Sequence, residues 1–168
     1  HVPGTDNTGM RYLVLLLTTA LTIGSAQRFE NRFTLIKTTT LAGAAEKLTV
    51  QQPASGAKSV FLMSASVYCS VACTATMTRD GTAATTTVLT PVAISGIGAA
   101  ATTTTGYHTS NVGAGTTISV AHVVPAGATV VFDLQGIHLR GNGTARNFSI
   151  ATNSITGDAK IQIIWREE

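Results

Sequence analysis

"KSVFLMSASVYC", Lys58 to Cys69, and "CTATMTRD", Cys73 to Asp80, decide the fold class of this chain. In both, apolar residues recur at every second position among β-branched and small polar ones, the pattern of a strand with one face in a core and the other in solvent. Phe61, Met63, Ala65, Val67 and Cys69 share one parity, and Cys73, Ala75 and Met77 share it beyond the short connection Ser70-Val71-Ala72. If that connection is a hairpin loop, the two sulfurs stand opposite one another on one side of the ribbon, and a disulfide clamps the hairpin. Two free buried thiols and a metal site are the alternatives; one C-x3-C without a nearby His falls short of four-ligand spacing.

The same period extends outward in both directions. "RFTLIKTT", "EKLTVQQ", "TTISVAHVV", "ATVVFDLQ", "RNFSIATNS" and "AKIQIIWRE" alternate and carry β-branched or aromatic residues. Turn chemistry separates them at Gln52-Pro53-Ala54-Ser55-Gly56, Arg79-Asp80-Gly81, Pro125-Ala126-Gly127, Arg140-Gly141-Asn142-Gly143 and Thr156-Gly157-Asp158. "LAGAAEKL" near Leu41 allows a turn of helix at most. Charged residues are 11% of the chain, against roughly 25% in ordinary domains, and Thr, Ala, Gly and Ser take their place. The expected fold is all-β, an antiparallel β-sandwich or jelly roll of about eight strands.

Upstream, "MRYLVLLLTTALTIGSAQ", Met10 to Gln27, has the order of an export signal. Arg11 gives the positive start, Tyr12 to Ile23 the apolar core, and Gly24-Ser25-Ala26 the small-residue cleavage site. The apolar stretch is shorter than the about 20 residues that span a bilayer. We therefore expect residues 10–26 to be removed as a signal peptide, residues 27–168 to form one domain, and residues 1–9 to be an upstream extension or fragment. The expected location is secreted, extracellular or periplasmic, after cleavage near Ala26. No Cys follows Ala26, so no membrane anchor is expected.

The net charge is +3, but Arg28, Arg32, Lys37, Lys47, Lys58, Arg79, Arg140, Arg146, Lys160 and Arg166 are scattered along the chain. A nucleic-acid footprint clusters its charge, so no nucleic-acid partner is expected. Acid/base chemistry needs convergent groups. After the expected cleavage the carboxylates are Glu30, Glu46, Asp80, Asp133, Asp158, Glu167 and Glu168, with the last two at an end that normally frays and Asp80 and Asp158 at turn glycines. Asp133 interrupts an apolar strand and could meet His122 or His138 in space. No catalytic or metal motif accompanies these residues, and no cofactor is expected.

Between Pro91 and Thr116 the alternation lapses into a Gly-, Ala- and Thr-rich stretch, longer than an ordinary connection. Tyr107, His108, Ser110 and Asn111 give it a composition suited to adaptable contact, and they are the candidate binding loop. Trp165, with Ile161 and Ile163 on its face, reads as core closure; exposed, it and Tyr68 or Tyr107 would form an aromatic platform for a sugar. "NGT" at Asn142 and "NFS" at Asn147 fit the glycan-acceptor pattern.

"VVPAGATVVFDLQGIHL", "NFSIAT" and "GDAKIQIIWRE" together resemble the closing half of small jelly-roll or sandwich domains of phage fibre and virion-accessory proteins. The resemblance implies a strand lifted by a Gly-containing turn and a last strand that closes a sheet. It carries over no residue role, and the export leader departs from those proteins. The expected function is a secreted, non-catalytic structural or interaction module that engages a surface, a protein partner or copies of itself. A carbohydrate-binding module on a cell-surface glycan is the alternative, and a hydrolase using Asp133 and a histidine comes third.

Overall fold

The two strands that decide the fold do not pair with each other. The computed structural model describes residues 31–80, 87–94, 104–108 and 115–168; the expected signal peptide and the positions of Ser110 and Asn111 lie outside them. Thirteen strands follow in order: β1 (Asn31–Ala42), β2 (Lys47–Gln52), β3 (Ser59–Cys69), β4 (Cys73–Arg79), β5 (Thr87–Leu89), β6 (Val92–Ala93), β7 (Thr105–His108), β8 (Thr116–Thr117), β9 (His122–Val124), β10 (Ala128–Asp133), β11 (His138–Arg140), β12 (Arg146–Thr152) and β13 (Thr156–Glu167). One sheet runs β10-β3-β13-β1-β6 with β11 also on β3, and the other runs β5-β7-β2-β12-β4-β8 with β9 also on β4. The two sheets pack as an antiparallel β-sandwich, and their inward residues meet in one core.

Both edges of β3 are occupied, by β13 on one side and by β10 and β11 on the other. No edge is left for β4, which crosses to the second sheet and pairs with β12. The Cys69–Cys73 disulfide, with Cα atoms 6.3 Å apart, therefore staples a corner between the sheets and not a hairpin. The shared parity still holds, because both sulfurs point into the core. Ser70 secures the same corner: its N–H donates to Asp158 O at 2.8 Å and its Oγ accepts from Asp158 N at 2.7 Å.

Leu48, Val50, Phe148 and Ile150 from one sheet, and Val60, Val67, Ile161, Ile163 and Trp165 from the other, are fully buried. Each aliphatic or Phe side chain so buried contributes about 1.5–3 kcal/mol. Phe33 and Trp165 stack across β1 and β13 with ring centroids 6.0 Å apart.

The inward parity of β3 changes partway along. Residues Ile164 and Trp165 of β13 pair with Ser64 and Leu62, skipping Met63. This bulge turns Val60 and Leu62 inward and leaves Phe61 and Met63 half-buried off the core face, contrary to the uninterrupted alternation expected.

Eight strands have four or more residues; β5, β6, β8, β9 and β11 have two or three, too few for alternation to register. "TTISVAHVV", expected as one strand, divides into β8 and β9. Part of the stretch expected as a loop is also paired: β6 lies on β1, and β7 lies between β2 and β5. Gly106 makes this possible, since a Cβ there would stand 2.5 Å from Leu35 Cδ1 and 2.9 Å from Leu89 O.

Candidate functional site

Two concavities open at places where the sheets stop covering one another. The first lies along the rim where β10 ends one sheet and β8 and β9 end the other. It encloses about 480 Å³ and is lined by Met77, Ile118, Ser119, His122, the Val130–Leu134 stretch and Ile137. Alternation along β10 explains its character: Phe132 is buried toward the core, whereas Val131 projects outward and is 69% exposed.

Asp133 and His122 both line this groove, while His138 lines the other concavity. The Asp133 carboxylate accepts from Gln135 N at 3.0 Å and so closes its own turn. The His122 ring packs on Phe132, centroids 5.1 Å apart. Ser119, which no sequence pattern singled out, also lines the groove, but its Oγ accepts from Met77 N at 3.3 Å. Among the described residues no hydrogen bond links these three side chains as a nucleophile, base and orienting acid would be linked. The groove presents apolar surface with a polar rim.

The second concavity closes one end of the sandwich. Arg79 ends β4 and Arg146 begins β12, both at inward-facing positions where the core runs out. With Asp80, His138, Leu139 and Arg140 they line a cavity of about 190 Å³. Asp80 has a φ of 57° and bridges two of the arginines: its Oδ2 accepts from Arg79 Nε at 3.1 Å and from Arg146 at 3.2 Å. The bulge in β3 supplies a neighbour to this end. Phe61 lies 6.2 Å from the His138 ring and carries the Arg166 guanidinium 5.0 Å above its face. Arginines that are scattered in sequence are thus gathered in space, which no linear run could signal.

The remaining candidates separate. Trp165 is 0% exposed, inside the core, and its Nε1 donates to Glu167 Oε1 at 3.4 Å; it offers no face to a sugar, and the platform reading is corrected at that residue. Tyr68 lies off the core on β3, paired with Thr129 and Lys160, so it and Trp165 point to opposite faces. Tyr107 is half-buried on β7 opposite Thr49, and His108 follows it opposite Leu48. Asn147 is 5% exposed in β12, closed to a glycan, whereas Asn142 is exposed in a turn.

Glu167 belongs to β13 and does not fray. Its buried carboxylate accepts from Thr104 and lies 3.8 Å from Lys58 Nζ, while Gln52 Nε2 donates to Lys58 O at 2.8 Å. This polar cluster ties the last strand to the body of the domain. Among the described residues no three of His, Cys, Asp and Glu converge on a possible metal position. Comparison with known proteins leaves these surfaces to be read from their own chemistry: no protein-family model matches the chain, no curated protein matches it, and no solved structure matches it.

Proposed function

We propose that this chain is an exported, non-catalytic interaction module that associates with copies of itself through the β10 rim. One observation carries the reading: β10 is a six-residue edge strand with no Pro, Lys or Arg, and its outward-facing Val131 is exposed. An edge of this kind offers unpaired backbone groups to another strand, and natural monomers usually guard such edges with charge, proline or a covering segment. Pairing β10 with β10 of a second copy about a two-fold axis satisfies both edges and brings the two Val131 side chains onto one continuous sheet face. The disulfide at the β3–β4 corner supports export, because such bonds persist in oxidising compartments.

Light scattering coupled to size exclusion on the exported chain tests this. A dimer or larger defined assembly is expected for the wild type. Val131→Lys, which places a charge on an exposed position without touching the core, is expected to yield monomer. A wild-type monomer at the highest attainable concentration, or an assembly indifferent to Val131→Lys, refutes the assignment.

A further inference from the structure

We infer that the arginine-lined cavity at the end of the sandwich is a binding site for a tetrahedral oxyanion, a sulfate or phosphate group. Three guanidiniums and one imidazole surround it, against a single carboxylate. Counting the arginines against Asp80 leaves two positive charges uncompensated at the cavity. No carboxylate is set against Arg140 among the described residues. Repulsion among gathered arginines costs stability unless an anion offsets it, and such a cluster on an otherwise sparsely charged surface needs a reason.

The geometry suits the ligand. Asp80 engages Arg79 through Nε and Arg146 through one terminal nitrogen, which fixes both guanidiniums and leaves each with further N–H donors. Their side chains remain 47% and 45% exposed, so those donors can be reached. Arg140 comes from the other sheet, on β11, and lines the same cavity. Planar guanidinium forks from two sheets, lining one cavity, match the oxygens of a tetrahedral anion in charge and in donor geometry. The volume of about 190 Å³ corresponds to roughly six waters at ~30 Å³ each, room for one such group and part of what carries it. The site is separate from the β10 rim and does not depend on self-association.

Binding is read by NMR or calorimetry on the full exported chain at low ionic strength. Three titrants are compared: inorganic sulfate, a short sulfated oligosaccharide, and sodium chloride at matched ionic strength. Sulfate is expected to saturate, with shifts at Arg79, His138, Arg140 and Arg146, and chloride is expected not to. Arg140→Gln, an exposed change with no partner to lose among the described residues, is expected to weaken binding about tenfold, the loss of one charge-assisted contact. Lys160→Gln, on an exposed position of β13, is expected to leave it unchanged. Tighter binding of the oligosaccharide than of sulfate assigns the anion to a sugar polymer, and equal binding assigns it to the free ion. Shifts that merely follow ionic strength, or equal affinity in wild type and Arg140→Gln, overturn the inference.

Discussion

Removing the Cys69–Cys73 bond gives the sharpest test of the corner, because two variants separate two sources of its stability. The bond closes a loop with a sequence separation of 4, and the chain-entropy relation for a loop that short gives about 2 kcal/mol. Reduction alone should remove that amount and leave both sulfurs packed, since they point into the core and Cys69 and Cys73 are buried. Replacing both by alanine should remove it and also the sulfurs, adding about 1 kcal/mol per site as a packing loss. The expected order is wild type, reduced wild type, then Cys69→Ala/Cys73→Ala, with steps of about 2 kcal/mol each. For a domain of this size each kcal/mol moves Tm by roughly 3–5 °C. Urea unfolding with and without dithiothreitol, followed by Trp165 fluorescence, supplies the numbers, and the alanine variant should ignore the reductant. The native topology should survive, because Ser70 and Asp158 hold the corner independently. Complete unfolding on reduction, or no change at all, would refute this account of the corner.

Three further outcomes follow from particular contacts. Gly106→Ala should destabilise by about 1–3 kcal/mol, since its Cβ collides with Leu35 and with the Leu89 carbonyl; an unchanged urea midpoint would mean that β7 does not lie against β1 side chains as described. Trp165, fully buried, should resist iodide quenching in the folded chain and become quenchable in urea, and a quenchable native Trp165 would reopen the aromatic-platform reading. Burial lowers the Lys47 ammonium below its ordinary 10.5 by desolvation. An amine with a lowered folded pKa binds fewer protons folded than unfolded between the two values, so stability rises with pH across that window and the cost is fully present below it. Lys47→Met should therefore raise Tm at neutral pH, with the gain shrinking as pH approaches 10.5; a gain independent of pH sinks the argument.

The sandwich was legible because several of its strands, β4 and β13 above all, alternate between buried and more exposed residues. β12 and β13 read directly from "RNFSIATNS" and "AKIQIIWRE", where Phe148 and Ile150, and Ile161, Ile163 and Trp165, recur at every second position. Pairing was not legible, since alternation reveals which residues face inward and not which edge is free. Cys69 and Cys73 share a parity in a hairpin and in a corner alike; only the occupation of both β3 edges decides between them. The site was the least legible part. Arg79, Arg140 and Arg146 come from three segments and two sheets, and each looks like an ordinary solvated charge in sequence. A signal was present all the same: Arg79 and Arg146 share the inward parity of Met77 and Phe148, and a charge on a core parity at a strand end marks the mouth of a sandwich.

The bulge at Met63 connects the fold to both surfaces. The β13 register shifts by one residue there, and on the opposite edge of β3 the partner changes from β10, which ends opposite Ser64, to β11, which begins opposite Phe61. Met63 O accepts from Leu134 N at 3.1 Å and Leu62 N donates to Ile137 O at 3.0 Å, so the turn between β10 and β11 is built around the extra residue. That turn supplies Leu134 and Ile137 to the β10 groove. The parity reversal it accompanies moves Phe61 off the core face, where it supports His138 and Arg166 beside the arginine cavity. An uninterrupted β3 would send Phe61 into a core already filled by Phe33 and Trp165 and would bring Val60 and Leu62 out to solvent. One inserted residue thus removes an overpacked ring from the core, ends an edge strand and shapes the approach to a charged cavity, which is why the bulge belongs to the architecture and is not a defect in it.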